Sequence, residues 1–379
     1  MNPSYSGYRA VAFFAVFLFH ADFAKFGYLG VQAFFVLSGF LITPILVNTK
    51  KNSDGFKSFI KNFLTRRILR IFPLYYLYLT LLLLAISFPF VGKLEYFAPL
   101  REQIIYGFTY TYNFYHQTIF FVHNLFISHF WSLAVEEQFY LIWPLFVFFT
   151  PSGKFKKVLI AIILFGPIIR FLTGVAIEST YFPFLGKDKA EGVYVSTLSH
   201  LDAFATGAFF SLYVVKAIKA RMVYLTIFSV IILGYITSYY STKSIFLTSL
   251  GYYNFMGDSH KYIWGYSALN LCFGLVLYKM KSRSFFPLIF ENGIMVYLGK
   301  ISYGLYVYHY GVMYLVNTLT NKVMVFYNWE HTTTIRIISV FIALIITIFV
   351  SAISFKFFEE KFILLKDKIA PKKLSMNKN

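Results

Sequence analysis

Long apolar runs alternate along this chain with short connections rich in lysine and arginine. A helix needs about 20 apolar residues to cross a hydrocarbon core about 30 Å thick. Ten runs qualify, near residues 8–25, 28–48, 68–90, 131–150, 158–177, 193–215, 222–240, 262–278, 301–318 and 334–356. Basic residues cluster between them. Lys50, Lys51, Lys57, Lys61, Arg66, Arg67 and Arg70 precede the third run, and Lys154, Lys156 and Lys157 precede the fifth. Lys216, Lys219 and Arg221 form a third group, and Lys279, Lys281 and Arg283 a fourth. The stretch after Phe355 carries seven lysines. The other connections are poor in basic residues, with Lys25, Lys93, Arg101, Lys187, Lys189, Lys243, Lys261 and Lys322 spread among them. The positive-inside rule puts the clusters in the cytoplasm, and an even number of spans then puts both termini there.

One segment does not fit a simple crossing. Residues 103–127 are apolar and aromatic enough for a helix, but a crossing there would turn every later basic cluster outward. The segment is therefore expected to be re-entrant or interfacial, with His116, His123 and Asn124 toward a polar cavity. The predicted fold is all-α, a polytopic transmembrane helical bundle of about ten spans. No chain-wide repeat and no Pro/Gly/Ser linker divides it, so residues 1–365 are read as one domain and 366–379 as a basic cytoplasmic tail.

Composition narrows the partners. Hydrophobic residues make up 58% of the 379 and charged residues 13%, which excludes a soluble domain and makes the lipid bilayer a partner. A net charge of +19 would suit nucleic acid, but the cations sit in short loops where topology explains them, so no nucleic-acid partner is expected. The 48 Phe and 31 Tyr fit lipid-facing and interfacial positions. The single cysteine, Cys272, excludes an internal disulfide and reads as a packed thiol. The N-terminus has no basic leader and no small-residue cleavage site, so the first helix is expected to be retained.

Three stretches carry candidate chemistry. In the first run, Arg9 and His20 lie eleven residues apart, which brings them within about 20° around a helix axis and about 16 Å along it. An imidazole that deep in a membrane is a functional candidate, against the simpler reading of a snorkelling arginine and an interhelical hydrogen bond. In RRILRIFPLYY, Arg67 and Arg70 lie three apart on one face at the cytoplasmic start of a helix. They suit phosphate, but positive-inside anchoring explains them equally well. In WSLAVEEQFYLIWP, Glu136 and Glu137 open a span about 100° apart, so only one is expected to face a given site. No Cys cluster, His-Glu-x-x-His, Gly-rich phosphate loop or Gly-x-Ser-x-Gly elbow appears, and no metal site is expected.

The pattern resembles the acyltransferase-3 family of bacterial membrane O-acyltransferases. Arg9 and His20 match its Arg-(ten residues)-His opening, and Gly30, Val31, Phe34, Phe35, Ser38, Gly39 and Phe40 match the segment that follows. Arg67, Arg70, Pro73 and Tyr75 match its Arg-x-x-Arg region, which favours the donor-binding reading. Trp131 to Tyr140 carries its Trp-Ser-Leu-x-Val-Glu-x-Gln-Phe-Tyr motif and selects Glu136. Asp202 and Gly207 fit a later motif, but His200 stands where the family usually has Arg, so Asp202 reads as a structural charge partner. Ser302, Tyr303, Tyr306 and His309 match a further helix, with His309 more readily an interfacial histidine than a catalytic one. At Glu359 and Phe362 the family's intervening Pro is replaced by Lys361, so the helix is expected to run on.

The resemblance implies transfer of an acyl group, acetyl first, from cytosolic acyl-CoA to a hydroxyl of an extracytoplasmic glycan or lipid-linked sugar. Acyl-CoA is then a donor substrate, with no bound cofactor, and the bacterial cytoplasmic membrane is the location. His20, Arg9 and Glu136 are the catalytic candidates, with His20 as general base or acyl carrier and Glu136 orienting it. Arg67 and Arg70 are the acyl-CoA-binding candidates, and Ser38, Tyr75, Asp202, Tyr303 and His309 line or support the site. Some family members carry an extra secreted esterase-like domain, which is not expected here. The rivals are a carrier that flips a lipid-linked sugar or acylated substrate without chemistry, and a non-catalytic assembly subunit.

Overall fold

The computed structural model describes residues 2–88, 97–186, 188–214, 218–282, 286–330 and 332–370. Lys93, Lys187, Lys216, Arg283 and residues 371–379 of the predicted tail lie outside them. The described chain is helical: α1 Pro3–His20, α2 Leu29–Lys51, α3 Phe56–Ser87, α4 Leu100–Phe108, α5 Tyr112–His116, α6 Phe130–Phe149, α7 Ser152–Glu178 and α8 Lys189–Val195 come first. Then follow α9 Leu201–Leu212, α10 Ala220–Thr242, α11 Lys261–Lys279, α12 Pro287–Phe290, α13 Gly293–Lys300, α14 Ser302–Tyr327, α15 Thr333–Ser354 and α16 Glu360–Ile369. Among the described residues six helical stretches are long and apolar enough to cross a bilayer: α2, α3, α6, α7, α10 and the run from Thr333 to Lys366.

Several expectations change in detail. The predicted run 193–215 is broken into α8, a 3-10 turn at Leu198–His200 and the 12-residue α9. Twelve residues rise about 18 Å, short of a hydrocarbon core. The break falls on Ser196, Thr197 and Ser199, whose short polar side chains compete with the helix ladder. Helix α3 begins at Phe56, so Arg67 and Arg70 lie well inside a 32-residue helix and not at its start. The added turns are amphipathic, burying Phe59 and Phe63. Residues 103–127 form no long helix; they contain most of α4, all of α5, and turns. The last helix does run on, through a π turn at Phe355–Glu359 into α16, so residue 366 lies within a helix.

Helix α2 is the hub, packing on α9, α1, α11 and α6. Its crossing with α9 rests on two glycines. A Cβ at Gly39 would stand 2.0 Å from the Phe204 carbonyl, and one at Gly207 would stand 2.0 Å from the Val36 carbonyl. Small residues let backbones meet where lipid supplies no hydrophobic drive for association. A Cβ at Gly30 would likewise strike the Ala12 carbonyl at 2.3 Å, which seats α1 against α2. Behind them α7, α9 and α11 are tied by one buried ion pair. Arg170 donates to Asp202 at 2.9 Å, to the carbonyls of Ser199 and Ile263 at 2.9 and 2.8 Å, and to Ser267 at 2.5 Å.

Candidate active site: two adjoining chambers

Two cavities lie side by side within the bundle. Arg9 of α1, Ser38 of α2, Arg67 and Arg70 of α3, Glu136, Glu137 and Tyr140 of α6, and Ser302, Tyr303 and Tyr306 of α14 line the first. The three-residue spacing of Arg67 and Arg70 places both on one face of α3. Ser132, Glu136 and Tyr140 repeat every four residues and form one stripe of α6. Ser38 Oγ donates to the Glu136 carboxylate at 2.6 Å, and the Tyr140 hydroxyl donates to the same oxygen. The Arg67 guanidinium lies 4.9 Å above the Tyr140 ring. A cation, a phenol, a carboxylate and a serine are thus linked in series. Glu137 also lines this cavity, with a buried oxygen that has no hydrogen-bond partner among the described residues, so the two glutamates do not divide between faces as expected.

Histidines line the second cavity. His20 ends α1, His116 ends α5, His123 lies in the loop that follows, and His129 caps α6, with Trp131, Tyr194, Phe255 and Tyr310 around them. The His20 ring centre lies 4.2 Å from Tyr310 and 5.2 Å from His309. The Tyr310 hydroxyl and His123 Nε2 are 2.9 Å apart. Burial holds His123 below the usual histidine range. His116 Nε2 meets Glu191 at 3.1 Å, and that hydrogen bond keeps the Glu191 carboxyl below the usual carboxylate range. His116 and His123 face this polar cavity, whereas Asn124 shapes the turn, accepting from the Phe126 amide at 2.9 Å.

Helix α1 serves both chambers with one stripe: Arg9 lines the first, Val16 and His20 the second. The expected pairing of Glu136 with His20 is not found. Glu136 accepts from Ser38 and Tyr140 in the arginine chamber, and His20 lies in the other. Tyr75 lines neither cavity; it stacks on Tyr110 at 4.3 Å and donates to the Gly107 carbonyl at 2.8 Å, holding α4 to α3. Asp202 is the charge partner of Arg170. His200 is buried and meets the Tyr194 carbonyl at 2.5 Å. Tyr303 donates to the Ile71 carbonyl at 3.1 Å. His309 donates Nδ1–H to the Tyr306 carbonyl at 2.7 Å, and its Nε2 has no hydrogen-bond partner among the described residues. Glu359 is buried and accepts from Ser354 at 3.1 Å. Sequence reasoning passed over His129 and Tyr310. Their signal is position alone: His129 precedes the Trp131 motif, and Tyr310 follows His309.

Comparison with known proteins decides the family. The profile described as acyltransferase domain matches residues 2–356. The chain belongs to the acyltransferase-3 family. Peptidoglycan O-acetyltransferase OatA of Listeria monocytogenes is 36% identical over 177 residues, covering 43% of this chain and 27% of that protein. O-acetyltransferase OatA of Staphylococcus aureus is 26% identical over 336 residues, covering 83% of this chain and 51% of that protein. The acyltransferase-3 chain therefore spans about half the length, or less, of these relatives. No solved structure matches it.

Proposed function

We propose that this chain transfers an acetyl group from acetyl-CoA, entering from the cytosol, to a hydroxyl of a glycan or lipid-linked sugar on the far side of a bacterial cytoplasmic membrane. The observation that carries the reading is the adjoining pair of chambers, one rich in arginine and one rich in histidine, both reached by α1. In this reading the arginine chamber faces the cytosol and the histidine chamber faces outward. Both termini and the segment from residue 366 are cytoplasmic, about ten passes cross the bilayer, and residues 103–127 re-enter from outside to bring His116 and His123 over the acceptor. Residues 1–365 form the catalytic domain.

The arginine chamber encloses about 140 Å³, below the range of about 300–1,000 Å³ that holds a drug-sized ligand. It suits the acyl end and pantetheine arm, while Arg67 and Arg70 grip the phosphates toward its mouth. Arg9 extends the cationic lining toward the thioester. His20 takes the proton of the acceptor hydroxyl as general base. Glu136 holds Tyr140 and Ser38 and balances the arginine charge. The peptidoglycan named for the Listeria relative makes a cell-wall glycan the first acceptor to test.

The test is transfer of label from acetyl-CoA to peptidoglycan fragments by the purified protein in lipid nanodiscs. Label is expected on the glycan with the wild type and absent with His20→Ala at equal protein. A wild type that moves glycan across the bilayer without acetylating it supports the carrier instead, and a fully active His20→Ala ends the catalytic assignment.

A further inference from the structure

Among the described residues the two chambers share two lining side chains, Val31 and Tyr306. A group passing from a donor in one chamber to an acceptor in the other must go by atoms within reach of both. Of the shared pair, Tyr306 alone carries a polar atom. Its side chain is buried and its ring is 5.5 Å from both His129 and His309. Its hydroxyl is 2.5 Å from Ser132 Oγ and donates to the His129 carbonyl at 3.3 Å. Ser132 donates to the same carbonyl at 3.0 Å, so the phenol proton is held between a serine oxygen and a backbone oxygen at the boundary of the chambers.

We propose that the Tyr306 hydroxyl is the hydrogen-bond donor that stabilises the oxyanion of acyl transfer. The assignment rests on the acyl-transfer reading above. The acceptor hydroxyl oxygen attacks the thioester carbonyl carbon as its proton passes to His20. A C–O bond forms, and the carbonyl π pair moves onto the oxygen, which takes the hydrogen bond of Tyr306 as the phenol O–H turns from Ser132 Oγ and the His129 carbonyl. On collapse the C=O bond re-forms, the C–S bond breaks, and sulfur leaves with the pair and receives the proton from His20. The products are the ester and the free thiol, and no other reactant is consumed. A donor that meets the charge as it develops contributes through the transition state and not through ground-state binding. The three arginines of the donor chamber are left to the phosphates and the thioester entrance.

The test uses the full chain in nanodiscs. Tyr306→Phe keeps the ring, and Ser132 keeps the His129 carbonyl as a partner, so packing is preserved. The expected result is a fall in kcat of about 100- to 1,000-fold, as for loss of an oxyanion donor. KM for acetyl-CoA should stay within about threefold, because only the transition-state contact is lost. Ring-fluorinated tyrosines placed at 306 make a second arm: kcat should follow the acidity of the phenol, which a merely structural hydroxyl would not produce. A Tyr306→Phe enzyme with kcat within about threefold of the wild type overturns the assignment. So does a kcat indifferent to fluorination, and that arm still decides the matter where the Phe variant fails to fold. If the wild type itself transfers no label, the acyl-transfer reading fails first and the role of Tyr306 falls with it.

Discussion

Replacing Arg170 with methionine should destabilise the bundle without touching the arginine or histidine chambers. Arg170 is fully buried, and its guanidinium makes four hydrogen bonds, to Asp202, Ser267 and the carbonyls of Ser199 and Ile263. Asp202 is 1% exposed, and its remaining side-chain partner is Ser267 at 2.7 Å. Removing one member of a buried pair strands the other charge, at a cost of about 3–5 kcal/mol. Each kcal/mol moves the melting temperature by about 2–4 °C in a chain of about 150–250 residues, and by less in a longer one. At about 1.3 °C per kcal/mol for 379 residues, a loss of about 4–6 °C follows, measured by thermal shift of the purified protein in one detergent at one scan rate. Adding Asp202→Leu to Arg170→Met should recover part of the loss, because a hydrophobic replacement of both partners is often neutral or better. Below the melting transition, KM for acetyl-CoA should be unchanged in Arg170→Met. A single variant that melts within about 1 °C of the wild type refutes the reasoning, as does a double variant less stable than the single. The prediction bears on a gap in the sequence pattern: the arginine that usually precedes Asp202 in this family is His200 here, and the cation comes from α7.

Three further outcomes can be checked. Arg67→Ala and Arg70→Ala should each weaken acetyl-CoA binding about 10- to 150-fold by isothermal titration, with Lys restoring only part because it lacks the bidentate fork; unchanged affinity makes these arginines topology signals. One alanine inserted between Phe14 and Ala15 should turn His20 about 100° from Arg9 and abolish transfer at equal membrane abundance, whereas Val16→Ile should be mild; a folded, fully active insertion mutant rules out a shared face. Because the hydrogen bond from His116 depresses Glu191, its contribution to stability is present above the ordinary carboxylate value of 4.5 and is lost as pH falls through and below it. Protection of residues 112–118 against hydrogen exchange, taken relative to the intrinsic amide rate at each pH, should therefore fall in acid in the wild type and be lower at neutral pH in Glu191→Gln, and protection that ignores both changes would show the contact to be idle.

The fold class and the stripe on α1 were legible because they depend on local periodicity. Arg9 and His20 need only helical geometry to share a face, and the structure keeps them on one stripe. The broken segment around α8 and α9 was not legible, because hydropathy averages over Ser196, Thr197 and Ser199 while backbone competition does not. The true start of α3 was hidden for the opposite reason. Residues 56–66 are polar on average and amphipathic in detail, and their phenylalanines find partners only in the folded bundle. The partner of Glu136 was also out of reach of the sequence. Motif spacing names the carboxylate, but whether it meets His20 or Ser38 depends on how far α6 and α1 slide past each other, which only tertiary packing fixes.

That placement changes what the carboxylate is for. Three arginines around one cavity repel each other in a medium where charges are weakly screened. Glu136 and Glu137 enter the same lining, and the Tyr140 hydroxyl binds Glu136 from beneath the Arg67 guanidinium. On the proposed reading the Glu136 carboxylate lets the cations remain together in the absence of a phosphorylated ligand, and the bonds from Ser38 and Tyr140 hold it in place when a ligand arrives. The imidazole of His20 is meanwhile kept apart among aromatic rings, where no carboxylate of the donor chamber lines its cavity. On the proposed reading, donor grip and proton transfer then fall in separate electrostatic environments along a single helix. On that reading the acyl group is the part of the donor that crosses from the first to the second, and among the described residues the boundary it meets is Val31 and Tyr306.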